Sequence, residues 1–168
     1  MVYYSCFWGR PMLDDIAKSY FAAEQALHEQ KYLIGTNPRQ QSGFGRDERD
    51  WERYRRAVTE PIDRDGTFLD VGCANGLLME SVVGWAGEDG YSIEPYGLDI
   101  STKIAALARR RLPHWQDRIF VGNALFWDPP FKFDFVRTEM VYVPDHLRHA
   151  YAERLLEYVV APDGCLIV

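Results

Sequence analysis

Residues 68–78, FLDVGCANGLL, carry the reading of the whole chain. Apolar residues run into Asp70, the chain passes Gly72, Cys73, Ala74, Asn75 and Gly76, and apolar residues then resume. The pattern predicts a short buried strand, a glycine-rich turn and a helix. Glycine lets a turn adopt positive φ and approach a neighbour closely. In an open α/β sheet such a turn lies beyond the carboxyl end of its strand, where ligands sit. The plainer alternative, a tight turn with Asp70 capping something local, stays open. A phosphate-binding loop needs a Gly-Lys pair that is absent here. A dinucleotide fingerprint needs three glycines where this chain has Gly72, Ala74 and Leu77. What fits is an acidic residue, any residue, then G-x-[GA]-x-G, with a carboxylate at the strand end that suits a ligand carrying positive charge.

Strands and helices alternate outward from this stretch. Phe68 to Val71 reads as a strand and Leu77 to Trp85 as a helix. Tyr96 to Ile100 is a second strand, and Ser101 caps a helix carrying Ile104, Ala105, Leu107 and Ala108. Ile119 to Val121, Phe133 to Val136 and Cys165 to Val168 are three further strands. Leu147, Tyr151, Leu155, Tyr158 and Val159 mark the helix before the last of them. This order implies a Rossmann-like, doubly wound, mostly parallel sheet with helices on both faces. Upstream, residues 14–33 read as a helix with Ile16, Tyr20, Ala23 and Leu27 on its inner face. Residues 35–46, GTNPRQQSGFGR, read as a loop. Asp47 caps a second helix lined by Trp51, Tyr54 and Val58. The division expected is an N-terminal extension and helical lid over 1–60 and a ligand-binding domain over 61–168.

The 168 residues carry a net charge of -6, which speaks against nucleic acid as a partner. Three cysteines without close pairs argue for fillers in a reducing, cytoplasmic setting, not for disulfides or a metal cluster. No apolar run reaches the ~20 residues that cross a bilayer. Residues 1–11 lack the flanks of a signal peptide and read as an upstream extension outside the fold.

The ordered set of motifs resembles the class I S-adenosylmethionine-dependent methyltransferases over about residues 65 to 168. DVGCANG, Asp70 to Gly76, is similar to that family's first motif, with Ala74 where the middle glycine is commoner. Asp99 in YGLDIS stands where the second motif has its acidic residue. Gly122-Asn123-Ala124 resembles the third motif, with Asn123 where many relatives carry Asp. FDFVRTE and PDGCLIV resemble the later ones.

The resemblance implies S-adenosyl-L-methionine as cofactor and no metal. Gly72, Cys73, Ala74, Asn75 and Gly76 would bring the backbone close to its methionine part, and Asp70 would face its amino group. Asp99 would accept from the ribose hydroxyls, Ile100 would pack on the adenine, and Asn123 with Ala124 would meet the adenine edge. Each has a plainer alternative: Asp99 as a helix-starting residue, Ile100 as core, Asn123 as a turn residue. The function implied is methyl transfer to a small-molecule acceptor by in-line displacement, with Glu139 the candidate to orient or deprotonate the acceptor. Arg137, Thr138, Tyr142 and His146 stand at the same strand end. Arg39, Gln40, Gln41, Phe44 and Arg46 are expected to form a lid, and residues 127–131, WDPPF, to border the site.

The resembled fold continues past its fifth strand, so a chain stopping there is expected to be incomplete at its C-terminus and to expose an edge that a second copy could cover. The alternative function is a non-catalytic or degenerate cofactor-binding domain with a regulatory or interaction role.

Overall fold

The structure, a computed structural model, describes residues 14–168. The reading of residues 1–11 as an extension lies outside them. Five strands form one parallel sheet in the order β3-β2-β1-β4-β5. They are β1 (Gly66–Val71), β2 (Ile93–Asp99), β3 (Ile119–Val121), β4 (Phe133–Arg137) and β5 (Val160–Ile167). The helices are α1 (Asp15–Tyr32), α2 (Glu48–Arg55), α3 (Leu77–Glu88), α4 (Thr102–Arg111) and α5 (Arg148–Arg154). The strand order reverses between β1 and β4, which opens a crevice at their carboxyl ends, the topological switch point of such sheets.

Alternation along β1 shows why both faces are covered. Leu69 and Val71 enter one core with Leu98, Val136, Phe133, Tyr151 and Leu155, roofed by Ala17 and Phe21 of α1. Phe68 enters the opposite core with Phe135, Leu78, Val82 and Trp85, where Trp51 of α2 also packs. Thus the first two described helices share cores with the sheet. A third cluster joins Cys73 and Met79 to Ala105 and Ala108 of α4.

Caps act where the sequence placed them. Asp47 accepts from the Asp50 amide and Ser101 from the Ile104 amide. Gly76 starts α3 with φ +77°, and a β-carbon there would stand 2.5 Å from Leu112 Cδ1. The PDG turn differs from expectation. It lies inside β5, in an irregular stretch between the Phe133–Val160 and Phe135–Cys165 pairings. The helix before it closes in a π turn over Leu155–Val159, which leaves Tyr158 half exposed.

The inner face of α1 is not the one expected. Of the four residues expected inside, Ile16 (70%), Ala23 and Leu27 (40%) are exposed and Tyr20 alone turns inward, while Ala17 and Phe21 are buried. The inward stripe runs through Ala17, Phe21, Gln25, His28 and Tyr32, still at helical spacing but largely polar. A stripe rich in amides, imidazole and phenol does not score as a core face, and here it lines a cavity instead. Among the described residues no helix is long and apolar enough to cross a membrane.

Candidate active site

A cavity of about 380 Å³ lies over the carboxyl ends of β1, β2 and β4, with α1 as its roof. That is within the ~300–1,000 Å³ of small-molecule sites. The turn after β1 forms one wall. Its backbone is left-handed at Gly72 (φ +76°), Ala74 (φ +48°) and Gly76 (φ +77°). Gly72 has a second reason to lack a side chain, since a β-carbon would lie 2.6 Å from the Tyr142 ring.

Most amides of this turn are used internally. Those of Gly72 and Cys73 donate to the Leu98 carbonyl, at 2.7 and 3.1 Å, and that of Gly76 to the Cys73 carbonyl at 2.8 Å. The Ala74 amide donates to Asp99 Oδ2 at 3.0 Å, and the Leu77 amide to Asn75 Oδ1 at 3.1 Å. A phosphate cradle would aim such amides outward. Here the wall instead presents two buried carboxylates, Asp70 and Asp99.

Asp99 ends β2, and its Oδ1 accepts the Ser101 amide at 2.8 Å. Burial pushes its carboxyl up to about 6, against the pull of those two backbone donors. Asp70 and Arg137 are register partners on β1 and β4, which brings Arg137 Nη1 to 3.2 Å from Asp70 Oδ1. Burial likewise pushes Asp70 up to about 6, opposed chiefly by Arg137, while Asp70 and Tyr142 help hold the buried guanidinium charged. Arg137 also donates to the Tyr142 hydroxyl at 3.0 Å and to Glu139. Arg55 Nη1, from the end of α2, donates to the same Glu139 Oε1 at 3.0 Å.

The roof is fastened on two sides. Glu29 accepts from Lys103 at 2.7 Å and from Ser101 Oγ at 2.6 Å, which with Gln25 draws its carboxyl down to about 2. At the other side the Tyr20 hydroxyl donates to the Val141 carbonyl.

Nine of the eleven residues expected at the site line this cavity: Asp70, Gly72, Cys73, Ala74, Asp99, Ile100, Asn123, Ala124 and Glu139. Asn75 and Gly76 do not. Asn75 is fully buried behind the turn, and Gly76 serves helix packing. Cys73 lines the wall, its sulfur lies against Gly97, it packs in a cluster with Met79, and burial pushes its thiol up. Asn123 accepts the Leu125 amide on Oδ1 at 3.0 Å, so it serves the turn and also lines the cavity.

From the 35–46 loop only Ser42 and Gly43 reach the cavity wall. Arg39 and Arg46 turn back on the loop and on α2, and Phe44 packs on Trp51. His146 pairs with Asp14 instead of facing the site, and Thr138 is buried against Tyr151. Trp127 and Phe131 of the WDPPF loop join an aromatic cluster with Tyr96, Phe120 and Phe133, away from the cavity. The sequence reading missed Arg55 and the polar stripe of α1. The helical spacing of Gln25, His28 and Tyr32 was the available signal for the stripe.

No protein-family model matches the chain, and no curated protein matches it. Solved structures do. A Burkholderia thailandensis 1,6-didemethyltoxoflavin-N1-methyltransferase, with bound 1,6-didemethyltoxoflavin and S-adenosylhomocysteine, superposes with a TM-score of 0.64. It is 17% identical, over 93% of this chain and 64% of that one. A Haemonchus contortus phosphoethanolamine N-methyltransferase 1, in complex with phosphoethanolamine and S-adenosylhomocysteine, gives 0.61 at 15% identity, over 89% of this chain and 32% of that one. The [4+2]-cyclase SpnF gives 0.59 at 19% identity, over 94% and 60%.

The fold is that of the class I methyltransferases. The chain spans about three fifths of the length of the toxoflavin methyltransferase and of the cyclase. As the cyclase shows, this methyltransferase fold also appears under another activity's name, so the chemistry must be argued from the site.

Proposed function

We propose that this chain binds S-adenosyl-L-methionine in the cavity above β1, β2 and β4 and transfers its methyl group to a small-molecule acceptor by in-line displacement. The observation that carries the reading is the donor and acceptor set of the wall. The glycine-rich turn spends most of its amides internally, and two buried carboxylates, Asp70 and Asp99, line the cavity. A ligand bringing a positive charge and hydroxyl donors fits that set. A pyrophosphate does not.

When bound, the cofactor supplies an electrophilic sulfonium methyl group. The chain's own residues position it. Asp99 is fixed by the Ala74 and Ser101 amides and keeps further lone pairs for the ribose hydroxyls. Asp70, oriented by Arg137, meets the amino group. Backbone at Gly72, Cys73 and Ala74 forms the close wall, Ile100 packs on the adenine, and Asn123 with Ala124 meets its edge. Asn75 and Gly76 act from behind the turn.

The acceptor must sit about 3–3.5 Å from the methyl carbon and in line with the breaking bond, and alignment supplies much of the rate. A base is required only where the acceptor must lose a proton. Glu139 Oε1 is taken by both guanidinium groups, so we assign Glu139 to orienting Arg55 and Arg137. The cavity volume and the small acceptors held by the Burkholderia and Haemonchus enzymes support a small-molecule acceptor here too.

The test is formation of S-adenosylhomocysteine from S-adenosylmethionine across a panel of small amines, hydroxyl compounds and phosphobases. Acceptor-dependent turnover is expected. Cofactor binding without turnover on any class would instead favour a non-catalytic binding domain.

A further inference from the structure

The structure assigns Asn75 a role that its place in the glycine-rich turn conceals: it couples that turn to the 35–46 loop, so that order in the loop and occupancy of the cavity are one event. The idea deepens the proposed function and rests on it only for the identity of the ligand. Asn75 is fully buried and does not line the cavity. Its Nδ2 donates to the Pro38 carbonyl at 2.8 Å, and its Oδ1 accepts the Leu77 amide at the start of α3 at 3.1 Å. Its own carbonyl accepts Arg111 Nε at 3.0 Å. Arg111 is in turn paired with Glu80 of α3 at 2.8 Å. One residue thus ties together the loop, the turn, α3 and the end of α4.

The loop side of this link leads back to the cavity. After Pro38 the chain makes a short 3-10 turn, Gln40–Ser42, closed by the Ser42 and Phe44 amides on the Arg39 carbonyl. Gly43 follows at φ +81°, and a β-carbon there would stand 2.5 Å from the Tyr32 hydroxyl. Ser42, Gly43 and Tyr32 all line the cavity. Asn75 is therefore the hydrogen-bonded connection between the wall that meets the ligand and the loop segment that borders its mouth. An aspartate at 75 would keep the acceptor for Leu77 and set an oxygen against the Pro38 carbonyl. It separates the two halves of the link with almost no change of shape.

The experiment is amide hydrogen exchange of segments 39–45 and 73–77 in the wild-type chain and in Asn75→Asp, each with and without S-adenosylhomocysteine. Without ligand, segment 39–45 is expected to exchange about tenfold faster in the variant. With ligand, the wild-type chain should gain protection in both segments, and the variant in 73–77 alone. Equal exchange of 39–45 in the two ligand-free proteins overturns the proposal, as does equal ligand-induced protection of that segment. If the wild-type chain takes no S-adenosylhomocysteine, the proposed cofactor fails, while the ligand-free comparison still decides whether Asn75 holds the loop. Asn75→Ser, which removes the reach to Pro38 without adding charge, serves where the aspartate variant does not fold and is read the same way.

Discussion

Asp99 reaches across from the end of β2 to accept the backbone amide of Ala74, at 3.0 Å, in the turn that follows β1. The carboxylate expected to hold a ribose therefore also holds the wall beside it. Asp99→Ala should weaken S-adenosylhomocysteine binding by about 2 kcal/mol or more, since charge-assisted bonds are lost and the wall loosens. Calorimetric titration of the folded variant checks this. Unchanged affinity would remove Asp99 from the site.

Ala74 sits at φ +48°, where a β-carbon is strained by ~1–2 kcal/mol. Ala74→Gly should relieve that strain and, after the greater entropy of the unfolded glycine, raise stability by about 0.5–1 kcal/mol. Urea unfolding measures it. A loss of stability would mean that the methyl group packs better than its backbone allows.

Gly72 tolerates no such exchange. Gly72→Ala would combine φ +76° with a β-carbon 2.6 Å from the Tyr142 ring. A loss of about 2 kcal/mol or more is expected, with weakened ligand binding, because Tyr142 must leave its bond with Arg137. Urea unfolding and ligand titration of the variant report the two effects separately.

Arg137→Met should cost about 3 kcal/mol at pH 7, because the buried Asp70 loses its charged partner and must keep its proton to higher pH. The loss should shrink at pH 5, where Asp70 can take up a proton. A cost equal at both pH values would show that packing, not charge, is what Arg137 contributes.

Asp70 and Asp99, each pushed up to about 6, set the pH behaviour of the site. Carboxylates in unfolded chains titrate near ~4. The folded protein thus keeps protons that the unfolded chain has released, so these groups favour folding below about pH 4, and that advantage is lost as pH rises through about 6. Glu29, drawn down to about 2, acts oppositely, its contribution being present above its unfolded value and lost as pH falls towards 2. The proposed ligand contacts need Asp70 and Asp99 ionised. Affinity for S-adenosylhomocysteine should therefore rise about tenfold or more from pH 5 to pH 7. Titrations at both pH values test this, and a flat profile would contradict it.

What the sequence showed was mostly what local chemistry dictates. Asp70, the glycines after it and the Ser101 cap are read from local pattern because strand ends and helix starts are set by neighbouring residues, whereas Asp99 was singled out by the resemblance to the family's second motif. The inner face of α1 was misread because Gln25, His28 and Tyr32 turn inward to a cavity, whereas Ile16 and Leu27 turn outward. Hydrophobic periodicity assumes that the inside is apolar. Arg55 was invisible for another reason. Its partner Glu139 lies 84 residues away, and no local pattern encodes that meeting. Asn75 was placed correctly in the turn, but the side of the turn it faces depends on Pro38 and Arg111, which only the fold brings near.

The most direct test of the central claim is calorimetric titration of the chain with S-adenosylhomocysteine, with NAD as the control. Micromolar binding of the first and none of the second is the result this account predicts. A folded chain that binds neither would make the turn after β1 architecture alone, and one that prefers NAD would contradict the reading of Asp70 and Asp99.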